Sequence, residues 1–336
     1  MSTCPHFNHL LVMPRLTIQN ANAVSSPLTH GFPSITAFIG LMWALERRAR
    51  AAGLDVAFKA IGVVCHDHQE QVTDDGFVHA FKLTRNPVGK DGGTAAIVEE
   101  GRIHLEVSLL LAVCSDRWLA DPDAQASDIQ QLTALLSSMR VAGGSVVPAA
   151  RPHLKRYRPY VLDLTGTDAD RQAVFRHARS KLLPGFALVA RDDLLDTRLA
   201  ELQHSQPLAT RLDAWLSLAR INWRYAPPSD EAGKSKKDAW THDRKGQGWI
   251  VPIPVGYGAL GALLPPGQVA NARDSATHFR FVESVFSVGQ WLSPHRLTQA
   301  RQLLWYADSQ PDAGLYRCGN DYARSIASPD SAYDFN

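Results

Sequence analysis

Cysteine is scarce in this chain. The 336 residues hold four, Cys4, Cys65, Cys114 and Cys318, none near another. No C-x-x-C pair exists to seat zinc or a redox disulfide. Such scattered thiols fit a reducing cytoplasm, where they serve as small buried apolar residues. Long hydrophobic runs are missing too. The longest, Val107–Val113, is already broken by Ser108 and falls far short of the ~20 residues of a membrane span. No basic stretch precedes an apolar run at the N-terminus, and His9–Met13 is stopped by Pro14 and Arg15, which excludes a signal peptide. The expectation is a soluble cytoplasmic protein with no membrane partner. A G-x-S-x-G serine motif is absent. Net charge is also small, +2, so nothing global marks a nucleic-acid protein.

The distribution of charge says more. From Arg140 to Arg191 ten Lys/Arg face only Asp163, Asp168 and Asp170. A local basic field on a near-neutral chain suits one anionic partner, or a set of solvated helix faces. The 45% hydrophobic content is enough for one large core or two smaller ones. Residues 9–19 read as a strand with Pro14 at an edge or bulge. Phe38, Leu41, Met42 and Leu45 recur at helical spacing behind an N-cap at Ser34 and ahead of a stop at Gly53. Strand-like runs follow at 56–66, 77–85 and 102–114. Helices are expected over 123–139, 169–183 and 193–219, the last interrupted by Pro207. Short strands are expected at 185–191, 249–255 and 278–288. SPHRLTQARQLLWYA (293–307) begins with a capped helix. Residues 226–240 lose all periodicity, which marks a mobile loop over 226–247. No internal repeat is present. The pattern is α+β, one domain over 1–336 with long insertions.

GYGALG (256–261) matches G-x-G-x-x-G, the dinucleotide fingerprint. That motif needs a helix opened by its glycines to hold a pyrophosphate. Pro265 and Pro266 forbid the helix, so the stretch reads as a glycine-rich loop whose backbone passes close to something. His66-Asp67-His68 lacks a third zinc ligand. His104 and His295 have no partner to fix a tautomer, and the adjacent acids Glu99 and Glu100 suit solvent. No catalytic residue, metal or cofactor is expected. A polar, glycine-rich loop vocabulary stands out instead. It comprises Arg15, Gln19, Asn20, Asn22, Ser25 and Ser26 near the start; Arg85, Asn86 and Thr94 in LTRNPVGKDGGTAAIVEEGR; Arg140, Gly143 and Gly144 in MRVAGGSVVP; and Asn271 and Arg273 in GQVANARD. Arg neutralises phosphate, while Asn, Ser and backbone N–H groups read phosphate, ribose and base edges. Phe32, Phe38, Trp249 and Tyr257 are candidate base-stacking rings.

The runs PRLTIQNANAVSSPLTHGFPS, TAAIVEEGR, HLEVSLL, MRVAGGSVVP, LLPGFALV, NARD, FRFVE and WLSPHR resemble, from about residue 10 to about residue 317, the type I-F CRISPR-associated subunit that caps the 5′ handle of the guide RNA. That family is a Cas-five group of the RAMP superfamily. The resemblance implies a ferredoxin-like (RRM-like) RAMP head with long inserted loops and hairpins, no metal and no catalysis. The implied partners are the 5′ handle of CRISPR RNA, the large subunit of the Csy complex, an adjacent backbone subunit, and target duplex DNA beside the recognition motif. PVGYGAL corresponds to the superfamily's glycine-rich loop, P-x-G-Y-x-x-L, which adds Gly256 and Tyr257 to the RNA-facing candidates. The rival reading is a RAMP endoribonuclease processing CRISPR transcripts, with His66 or His104 as general base. A third is a subunit that binds only protein.

Overall fold

A computed structural model describes residues 2–76, 78–85, 88–89, 91–94, 97–149, 152–225, 240–272 and 274–327. The first strand, β1 (His9–Asn22), has two bulges, between Met13 and Leu16 and between Ile18 and Ala21. Arg15 (φ 48°) and Asn20 (φ 57°) supply the left-handed residues they need. Pro14 falls inside the first bulge, where its missing N–H breaks no ladder. Helix α1 (Ile35–Ala51) starts where Ser34 caps it and ends before Gly53 (φ 80°). It buries Phe38, Leu41, Met42 and Leu45, as their spacing predicts. Next come β2 (Ala57–Glu70), β3 (Arg102–Cys114), α2 (Pro122–Ser137) and β4 (Gly144–Val147). These strands lie in the order β4-β1-β3-β2, antiparallel throughout. The free half of β1's outer edge pairs with β5 (Tyr160–Asp163).

The remaining elements are α3 (Asp168–Ala178), β6 (Phe186–Ala190), α4 (Asp192–Ser205), α5 (Arg211–Leu218), β7 (Trp249–Ala259), β8 (Val282–Leu292), β9 (Leu304–Gln310) and β10 (Leu315–Asn320). They continue the same sheet, 11 strands among the described residues, as β2-β6-β8-β7-β10-β9. The last strand then returns to β2. Leu304 and Trp305 pair with Gly62 and Ile61, while Phe186 and Ala187 take Cys65 and Val64 farther along the same edge. Alternation along the strands divides the core. Leu11, Met13, Ile61 and Leu111 pack with α1 and α2 on one face. Leu10, Val12, Ala60 and Leu110 pack with Phe175 of α3, Leu182, Leu297 and Leu303 on the other.

Three expectations are corrected. The capped helix expected at the start of 293–307 is two single 3₁₀ turns, Pro294–Arg296 and Ala300–Leu303, followed by β9. Trp305 and Tyr306 are both fully buried, but in opposite core layers. Only a strand can send adjacent rings to opposite sides. The strand expected over 77–85 is two short ones, His79–Phe81 and Leu83–Arg85, in separate hairpins. Most of GYGALG is not a loop. Gly256, Tyr257 and Gly258 run inside β7, paired with β8 on one side and β10 on the other. The backbone its glycine admits belongs to the neighbouring strand: a Cβ on Gly256 would lie 2.0 Å from the carbonyl oxygen of Tyr316. Within the 226–247 segment, Trp240–His242 pairs with Trp223–Tyr225, and 226–239 lie outside the described residues.

Candidate functional site

Beside the N-terminal half of α1 a cleft of about 540 Å³ opens. Four separate stretches of chain build it. The first is α1 itself. Ser34 accepts from the Thr36 N–H and donates to the Pro254 carbonyl at 3.2 Å, which fixes the helix end against β7. No acidic residue occupies the first turn, so the positive end of the helix dipole is left uncompensated. Ala37, Gly40 and Ala44 lie one above the other along the wall, and a Cβ on Gly40 would meet nothing within 4 Å. The second stretch is the end of β1. Asn22 closes a turn with its carboxamide, donating to the Val24 carbonyl and accepting from the Val24 N–H. Ser25 follows, its hydroxyl donating to the Phe32 carbonyl at 3.3 Å.

The third is the hairpin that leads into β4. Val141 pairs with Gly144, and the two residues between them, Ala142 (φ 48°) and Gly143 (φ 81°), are both left-handed. That is the geometry of a two-residue hairpin turn matched to strand twist. The Asn22 N–H donates to the Ala142 carbonyl at 2.9 Å, which ties the turn to β1. Arg140 is exposed, with only a 3.5 Å contact to the Gly143 carbonyl. Among the described residues it forms no ion pair. The fourth is Tyr257, 41% exposed and stacked on Tyr316 with ring planes 18° apart. Among the described residues no carboxylate lines the cleft. Its chemistry is one guanidinium, a helix N-terminus, amide and hydroxyl groups and an aromatic ring, a set suited to a phosphate with an attached base.

The sequence-based candidates divide accordingly. Asn22, Ser25, Arg140, Gly143 and Tyr257 meet in this cleft. Gln19 and Asn20 are exposed farther back on β1, opposite Ser145 and beside His104. Arg15 is engaged elsewhere: its guanidinium pairs with Glu106 and donates to the Leu183 carbonyl. Ser26 is buried on Thr29. Gly144 and Gly256 serve strand packing, since a Cβ on Gly144 would sit 2.7 Å from the backbone of Gln19 and Ala21. Thr94 and Asn271 are exposed outside the cleft, and Arg85 ends the short strand paired with Ile97–Glu99. Asn86 and Arg273 lie outside the described residues. Of the four candidate stacking rings, Phe38 is core, and Phe32 and Trp249 line a second cleft of about 650 Å³ with Phe186, Trp291 and His30. The sequence reading missed Ser34, Thr36 and the Ala37/Gly40/Ala44 wall. Small residues at helical spacing opposite the apolar stripe were the available signal.

The two histidines of the endoribonuclease reading have internal work. The Pro184 carbonyl can only accept, so His66 donates to it through Nδ1. Its Nε2 then accepts from the Ser108 hydroxyl, whose oxygen in turn accepts from the Arg15 N–H. The lone pair a base would need is used. His104 Nδ1 accepts from the Asn20 N–H. Burial lowers the His66 pKa below its ordinary value, outweighing the Pro184 hydrogen bond that opposes it; burial does the same to His9. The unfolded chain therefore takes up these protons first, and stability falls as pH drops through about 6.5 and below. The thermal midpoint should decline between pH 7.5 and 5.5. His66→Gln should flatten that decline, and an identical pH profile in the variant would show that His66 does not carry it.

Among the described residues no group of His, Cys, Asp and Glu could hold a metal ion, and no helix is long and apolar enough to cross a membrane. Comparison with known proteins adds identity to this geometry. The profile of a family described as CRISPR-associated protein (Cas_Csy2) matches residues 11–318. A protein of Pseudomonas aeruginosa (strain UCBPP-PA14) described as CRISPR-associated protein Csy2 is 48% identical over 310 residues, 92% of this chain and 94% of that one.

Proposed function

Because the chain belongs to the CRISPR-associated Csy2 family, we propose that it is a non-catalytic RNA-binding subunit of a type I-F CRISPR surveillance (Csy) complex. It holds the 5′ handle of the CRISPR RNA, together with the large subunit and the adjacent backbone subunit, so that guide pairing can open target DNA. The observation that carries this reading is the cleft beside α1. Two polar loop segments, the start of α1 and the β7 tyrosine converge there, with no carboxylate among the described residues that line it. The engaged histidines favour binding over cleavage. The strand order β4-β1-β3-β2, with α1 between β1 and β2 and α2 between β3 and β4, supports a ferredoxin-like head of the RAMP kind.

The test is a salt-controlled binding assay with labelled handle RNA. Replacing Arg140 and Asn22 together, by Gln and Ala, removes one phosphate contact and one carboxamide. Affinity should fall about tenfold or more, while stability should fall by only about 1 kcal/mol, the loss of the Asn22 turn bonds to Val24. Wild-type affinity in the double variant would overturn the assignment of this cleft.

A further inference from the structure

Because β9 returns to β2, the strands β2, β6, β8, β7, β10 and β9 close into a ring. At one end of that ring lies the second cleft, of about 650 Å³. Strand register brings its walls together. Phe186 stands opposite Cys65, and Trp291 stands opposite Leu188 on one side and Trp249 on the other. Leu188, Ile253 and Trp291 are buried and make the floor, while Phe186 and Trp249 are half-exposed. The segment from Leu28 to Ile35 closes a further side and brings Phe32. The four rings form a chain, each inclined to the next. Phe186 meets Trp249 at 5.8 Å and 73°, Trp249 meets Trp291 at 6.1 Å and 47°, and Trp291 meets Phe32 at 4.8 Å and 82°. A largely apolar cavity with a few polar groups at the mouth of a barrel has the ordinary form of a small-ligand site.

Two carboxylates complete the lining. Asp67 is exposed; it accepts from the His68 N–H and forms no ion pair among the described residues. The Glu70 side chain is only 23% exposed, and its partner at 3.0 Å is His30, which is charged only when protonated. Among the described residues no Lys or Arg lines this cleft. The cleft beside α1 has the opposite character, a guanidinium and no carboxylate in its described lining, although Pro33 and Ser34 belong to both walls. A phosphate entering the second cleft would meet two acids and no fixed cation. A cation would gain twice. The ring quadrupoles attract it, those of Trp most strongly, and a carboxylate held partly out of water attracts it more than one in solvent. An alkyl stem suits the apolar floor, as the stems of Lys and Arg lie along apolar surface. We propose that this cleft is a site for an organic cation, an ammonium or guanidinium group carried on an alkyl stem. It stands whether or not the cleft beside α1 holds RNA.

The experiment is calorimetric titration of the full chain, free of RNA, with agmatine, spermidine and a blocked arginine (N-acetylarginine amide). Adenosine monophosphate and n-butanol serve as the anionic and neutral comparisons. At least one cation should bind saturably with a Kd under about 1 mM, more tightly than either comparison. Tighter binding of agmatine or spermidine identifies a free small cation as the occupant. Tighter binding of the blocked arginine identifies a side chain of another protein. Either result supports the site. Asp67→Asn, which keeps the acceptor for the His68 N–H, and Trp249→Leu should each weaken cation binding by about threefold or more. The inference is overturned if no cation binds, if both variants keep wild-type affinity, or if the nucleotide binds more tightly than every cation. Should Trp249→Leu fold poorly, Glu70→Gln is scored the same way. Because no RNA is present, loss of handle binding in the earlier assay and loss of cation binding in this one are separate results.

Discussion

Gly256→Ala is expected to destabilise the protein by about 3 kcal/mol. The new Cβ would stand 2.0 Å from the Tyr316 carbonyl oxygen and 2.9 Å from the Arg317 Cα. Both are backbone atoms of a paired strand, so no side chain can swing aside. β7 cannot retreat either, since β8 holds its other edge through Val285. Calorimetry should show the thermal midpoint down by about 5 °C in a chain of this size. Gly256 is also a candidate RNA contact, and the measurement separates the roles. A residue that only meets RNA would leave the midpoint unchanged and lower handle affinity alone.

The second large effect is expected at Asn320, 9% exposed at the end of β10. Its carboxamide oxygen accepts from the N–H groups of Ala190 and Tyr322, and its nitrogen donates to the carbonyls of Gln302 and Leu304. One side chain thus joins β6, β9 and the turn before α-helical residue Tyr322. Asn320→Leu keeps the branched shape and strands these backbone groups inside the protein. Each lost partner costs roughly 1–3 kcal/mol, and the sum after relaxation should be about 4 kcal/mol. Urea unfolding should show it as a lower midpoint with an unchanged slope. A shift under about 1 kcal/mol would mean that water reaches the site and replaces the carboxamide.

Where local pattern and burial agree, the fold was legible. β1, α1 and β3 show it: one face of each is fixed by apolar spacing, and Ser34 and Gly53 mark both helix ends. Legibility failed where distant partners decide. Leu304, Trp305 and Tyr306 follow a helix-like run, yet two full-size aromatic rings must enter opposite core layers. The glycines of β7 look like a loop until β8 and β10 are brought alongside. The site follows the same division. Asn22, Ser25, Arg140, Gly143 and Tyr257 were visible as polar loop chemistry, although nothing local says that they converge. Arg15 has identical chemistry and is consumed by Glu106 across a bulge. Ala37, Gly40 and Ala44 offer no polar atom, so a search by chemistry passes over the surface that gives the cleft its room.

The edge of β2 has a temporal meaning as well. Its residues 61–65 receive β6 at one point and β9 at another, and β9 begins at Leu304. A chain growing from its N-terminus can assemble β1, α1, β2, β3 and β4 early. It must then carry an unpaired apolar strand edge until residues 304 and beyond have been made. During synthesis the finished part is a template waiting for later strands, and the seam at Ile61–Gly62 closes only when β9, about 240 residues further along the chain, arrives.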